Sequence, residues 1–157
     1  MGVNVLDQLP FIRKATLSVA RDVTAAEADV IPEGFRNNIR WNLGHIVATT
    51  DRLAFGIAGL PSRAPDGYAK WFGRDSSPGT WEGDVPGLEE IIARLEEQPE
   101  RIRESLEGRL DTPLDKPYPL PSGLTFHTIG EALNYSMYHE GVHLGTIKSY
   151  LRQIRKP

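Results

Sequence analysis

The last thirty residues constrain this chain more than any other stretch. Thr128-Ile129-Gly130-Glu131 is a capping-box pattern, which opens a helix by satisfying two orphan backbone N–H groups reciprocally. The apolar residues that follow recur at helical spacing, so one long helix is predicted from Thr128 to about Arg155. Ile129, Leu133, Ser136, Ile147, Tyr150, Leu151 and Ile154 define its inward stripe. His143 falls within that stripe and His139 at its edge. Two imidazoles four residues apart share one helical face. On a buried face they are costly unless paired, protonated or ligating.

Together with Glu140 they spell His139-Glu140-Gly141-Val142-His143, the His-Glu-x-x-His pattern in which two histidines bind zinc and the glutamate is a general base. The rest of the zinc-protease pattern is missing. Fourteen residues follow His143, and none is acidic or histidine. The metzincin continuation would need a glycine where Thr146 stands. A third protein ligand must come from upstream, from His45, His127 or a carboxylate. His127 lies twelve residues before His139, about 18 Å along a helix axis, so it reads as a loop or capping residue. His45, on the flank of a second helical stripe, is the better third ligand. Three neutral imidazoles leave a tetrahedral ion with one open position, the arrangement of catalytic zinc sites. Imidazole also suits nickel and iron. The plain alternative is a pair of buried, hydrogen-bonded histidines with no metal.

Three further helices are predicted. The first covers roughly Val3 to Arg21, with Pro10 imposing a kink or a helix start. The second covers Asn38 to Leu60, where Ile39, Leu43, Ile46, Thr50, Leu53 and Ile57 lie within about 80° of arc, and Pro61 stops it. The third covers Leu88 to Leu106, bent at Pro99. Thr24 to Glu27 is another capping box, opening a short helical piece. Residues 61–87 are rich in Gly and Pro but carry Tyr68, Trp71, Phe72 and Trp81, which argues for an ordered loop. That loop is a candidate roof for the site, with Trp71 or Trp81 lining it. Asp111 to Phe126 is Pro-rich and expected to be extended or turning.

A chain of 157 residues is expected to form one domain, 1–157. A net charge of −3 provides no basic field, so no nucleic-acid partner is expected. Asp7, Pro10, Arg13 and Lys14 interrupt the N-terminal stretch, which argues against a signal peptide. No apolar run approaches the ~20 residues of a membrane span, and a cytoplasmic location is the default expectation. There is no cysteine, so thiolate ligands and a cysteine nucleophile are excluded, and any thiol chemistry needs a thiol from outside.

Three phrases carry a wider resemblance: Ile39-Arg40-Trp41-Asn42-Leu43-Gly44-His45-Ile46, Ser77-Pro78-Gly79-Thr80-Trp81, and Tyr138 through His143 to Ile147. In order and spacing they resemble the DinB / YfiT-like superfamily over nearly the whole chain. The resemblance implies an all-α, up-down four-helix bundle, commonly a homodimer. It implies one divalent metal ion held by His45, His139 and His143, and, as in better-known relatives, transfer of a low-molecular-weight thiol to an electrophile. A metal-dependent hydrolase and a non-catalytic, stress-related metal-binding bundle are the competing readings. Glu140 is the candidate catalytic carboxylate. It points about 100° from His139, which favours orienting or structural work over general-base work.

Overall fold

The computed structural model describes residues 2–156, one residue short of the expected domain at each end. Four long helices make up most of it: α1 (Val5–Arg21), α3 (Ile39–Ala54), α5 (Leu88–Leu106) and α6 (Ile129–Ile154). Two short helices, α2 (Ala25–Asp29) and α4 (Tyr68–Phe72), sit in the connections. The long helices pack pairwise, α1 against α5 and α6, and α3 against α5 and α6. Among the described residues no helix is long and apolar enough to cross a membrane.

The helix starts follow side-chain chemistry. Asn4, Thr24 and Thr128 each accept from a backbone N–H of the first turn, and Asp7, Glu27 and Glu131 return the bond to the cap. Asn38 caps α3 through a 2.7 Å bond from the Trp41 N–H. The helix α3 ends six residues before the predicted Leu60. Phe55 leaves the helix, Gly59 turns left-handed at φ 67°, and the Leu60 N–H closes back on the Phe55 carbonyl at 3.0 Å.

Both interior prolines are tolerated for a physical reason. Pro10 lacks the N–H that would bond the Leu6 carbonyl, and Pro99 the one that would bond Leu95. An arginine from the facing helix fills each place. Arg103 of α5 donates to the Leu6 carbonyl at 2.6 Å, and Arg13 of α1 donates to the Leu95 carbonyl at 2.8 Å. Pro10 therefore lies inside α1, which starts at Val5.

The all-α expectation needs correction. Residues expected to be merely extended pair as an antiparallel hairpin, β1 (Pro113–Pro119) with β2 (Thr125–Thr128). The prolines of β1 can face away from the ladder because a two-stranded sheet has only edges. Buried Leu114 and Phe126 anchor the hairpin on the ends of α1, α5 and α6.

Candidate metal centre

The helices α3 and α6 bring His45, His139 and His143 together. One ring nitrogen from each lies within 4.8 Å of the other two. Ring centroids are 4.5 to 4.9 Å apart. His45 is buried and the α6 pair half-buried.

The outer nitrogens fix how two of these rings present themselves. His45 Nδ1 is 2.6 Å from the Phe72 carbonyl oxygen, which can only accept, so the proton is on Nδ1 and the Nε2 lone pair is free. His143 Nδ1 is 2.7 Å from Asn42 Oδ1. The Asn42 amide cannot be reversed without losing the 2.8 Å bond from its Nδ2 to the Asn38 carbonyl, so its oxygen accepts from His143. Metal-ligating histidines are held by this same kind of partner. Trp41 stacks on His45 at 4.4 Å and 13°.

The inner nitrogens are crowded. His45 Nε2 and His139 Nε2 are 3.1 Å apart, close to the ~3.3 Å that two 2.0–2.1 Å bonds to a tetrahedral ion would set. His139 Nδ1, on the outer side of its ring, is buried with no hydrogen-bond partner among the described residues. All three rings favour the neutral form. Burial is the first cause for each, with the other imidazoles and Arg52 adding to it at His139, which is pushed down to about 3. Burial, then His45, takes His143 to about 4. Burial also lowers His45, against the opposing Phe72 bond and with a smaller push from Arg52. Neutral rings at pH 7 are in the state a metal requires.

The Phe72 carbonyl reaches His45 because Gly44 has no side chain. A Cβ there would lie 2.5 Å from the Phe72 ring. The segment 61–87 therefore serves the site through the backbone of α4. Trp71 and Trp81, expected to line the site, hold the loop together instead. Trp81 Nε1 donates to the Trp71 carbonyl at 2.8 Å, and Trp71 Nε1 to the Glu82 carbonyl at 2.9 Å.

Glu140 is turned away from the imidazoles. Its carboxylate is fully buried between α1 and α5, where Arg13 Nε donates at 2.8 Å, Arg13 Nη2 at 3.1 Å and the Thr16 hydroxyl at 2.7 Å. Arg13 also donates to Gln98, whose amide in turn reaches the Val47 carbonyl. All three hydrogen bonds to the carboxylate come from α1, and none comes from a histidine. His127 is exposed on β2, where its N–H donates to Glu131 at 2.6 Å, and it takes no part in the cluster.

The DinB superfamily model matches residues 8–147, which spans all three histidines. The chain belongs to the DinB superfamily. Among solved structures, a conserved protein of Enterococcus faecalis superimposes on this DinB-superfamily chain with a TM-score of 0.62 at 15% identity, covering 99% of this chain and 100% of that one. That likeness is one of fold. No curated protein matches the sequence.

Two supporting residues escaped the sequence reading. Asn42 and Phe72 hold the outer nitrogens, and neither is a residue type that motif reading selects. Asn42 had a local signal: it is a polar residue three positions before His45, on a helix whose buried face includes both.

Proposed function

We propose that this DinB-superfamily protein holds one divalent metal ion, zinc or nickel before iron, with His45, His139 and His143, and transfers a low-molecular-weight thiol to an electrophile. One observation supports it above the others. Three neutral imidazoles, two of them with the outer nitrogen tied to an acceptor, bring one nitrogen each within 4.8 Å of the others beside a cavity. A divalent ion there would lower the pKa of a thiol sharing the site, so that a thiolate is available at neutral pH. The protein has no cysteine of its own to play that part. The chain's residues orient and exclude: Asn42 and the Phe72 carbonyl fix the rings, Trp41 covers His45, and the cavity admits the second reactant. We read Glu140 as structural, because Arg13 and Thr16 engage its carboxylate. The four long helices fit the up-down bundle expected of the family.

The test is metal analysis of protein purified without a nickel column, followed by a screen of biological thiols against the visible spectrum of the cobalt-substituted protein. We expect about one equivalent of metal per chain, thiol-dependent spectral shifts, and loss of both metal and thiol conjugation in His45→Ala and His143→Ala. Metal without any thiol response would overturn the transferase reading. Turnover of esters or amides with no thiol present would replace it with a hydrolase.

A further inference from the structure

A cavity of about 550 Å³ opens directly beside His45 and His139, within the range of small-molecule sites. Its walls are largely apolar, with Leu53, Ala64 and Leu120 drawn from α3, the 61–87 segment and the hairpin turn. Its charged groups are unevenly matched. Asp51, the one acidic residue on the wall, is buried and already engaged by the Ser62 hydroxyl at 2.7 Å, the Arg63 N–H at 3.2 Å and Arg101 at 3.3 Å. Arg52 and Arg74 also line the cavity, and among the described residues neither makes an ion pair with a carboxylate.

Arg52 is held in place without being neutralised. Its Nη1 donates to the Tyr118 hydroxyl at 2.8 Å, and its guanidinium lies 5.6 Å from the centre of the Tyr118 ring. A phenol orients the guanidinium fork and leaves the charge uncompensated. An oriented arginine with a second arginine lining the same cavity suits an oxyanion. The apolar residues that make up most of the cavity lining suit a short hydrocarbon stem.

We infer that this cavity selects a small molecule bearing an anionic headgroup, carboxylate, sulfonate or phosphate, with Arg52 and Arg74 as its binding residues and the uncharged part of the ligand directed toward His45 and His139. The inference rests on the cavity being the substrate pocket of the proposed site. Its recognition chemistry is independent of the metal.

The test is an NMR titration of the metal-free and the zinc-loaded protein with hexane-1-sulfonate and with hexan-1-ol. Sulfonate is a poor metal ligand, so the difference between the probes reports on the arginines. We expect the sulfonate to bind about tenfold tighter than the alcohol in both forms, the size of one charge-assisted hydrogen bond. It should shift amide signals around residues 52, 74 and 120. In the Arg52→Gln/Arg74→Gln protein the two probes should bind alike, with zinc content unchanged. Arg74→Gln alone, which removes an exposed side chain with no hydrogen-bond partner among the described residues, should lose part of the preference without touching the fold. Equal affinity of wild-type protein for the two probes would overturn the inference, whether or not zinc binds. Failure to bind zinc, nickel or iron would overturn the proposed function instead and leave the sulfonate comparison to decide this one.

Discussion

Glu140 and His139 are adjacent on α6, yet the fold satisfies only one of them. The Glu140 carboxylate is enclosed by Arg13 and Thr16 and needs nothing from outside. The three imidazoles bring their ring nitrogens within 4.8 Å of one another, and His139 Nδ1 is buried without a partner among the described residues. A polar group that the chain completes by itself serves folding. A polar cluster that the chain leaves incomplete, with its supports already in place, could hold a metal ion. The contrast separates two halves of a five-residue motif that a sequence pattern treats as one unit.

The hardest blow to this contrast falls on its closed side. Glu140→Ala leaves Arg13 charged in a dry site, and breaking a buried pair this way costs about 3–5 kcal/mol. Chemical denaturation should show that loss, and Arg13→Met/Glu140→Leu together should recover most of it. A Glu140→Ala protein as stable as wild type would mean that the pair does not hold the helices. On the open side, stripping the metal should lower the melting temperature, since an ion at a hundred times its Kd stabilises the folded state by about 2.7 kcal/mol. Calorimetry before and after chelation measures it, and no change would leave the imidazoles without a tenant.

Smaller perturbations sharpen the boundary between the two sides. Gly44→Ala should cost about 1–3 kcal/mol by driving a methyl into the Phe72 ring. It should also weaken metal binding by displacing the carbonyl behind His45. Asn42→Ala should leave the fold in place and reduce metal affinity about 10–100-fold, the usual effect of removing an outer partner of a ligating histidine. Competition against a chromogenic chelator reads both, and unchanged affinity in Asn42→Ala would show that His143 needs no orienting. A further effect is that of pH on the metal-free protein. His139 and His143 are held at about 3 and about 4 in the fold, against 6.5 ordinarily. Between those values the unfolded chain binds protons that the folded cluster refuses. Stability should therefore fall as pH drops below about 6.5 and stay level above it, as denaturation midpoints across pH 4–8 would show. His139→Phe/His143→Phe should flatten that slope.

Much of this was legible in the residues. The capping boxes at Thr24 and Thr128 open helices where they were predicted to, and α5 spans Leu88–Leu106 as its pattern requires. His45 meets the α6 pair. What was illegible depended on partners distant in sequence. The inward direction of Glu140 could be read, since at 100° per residue it falls among Leu133, Ser136 and Leu151 on the α6 stripe. Its partner could not, because Arg13 lies 127 residues away on another helix and reads as a surface cation. The hairpin was hidden by the prolines of β1, which normally argue against a strand. The role of segment 61–87 was hidden because it acts through a main-chain carbonyl, which any residue could supply.

The two prolines carry a last consequence. Each opens a gap in its own helix that only the opposite helix can close, and the two closures point in opposite directions across the α1–α5 seam. Sliding one rod past the other by a single turn would open both gaps together. Residues that usually break helices thus act here as a pair of keyed notches, setting how far along its neighbour each rod can sit.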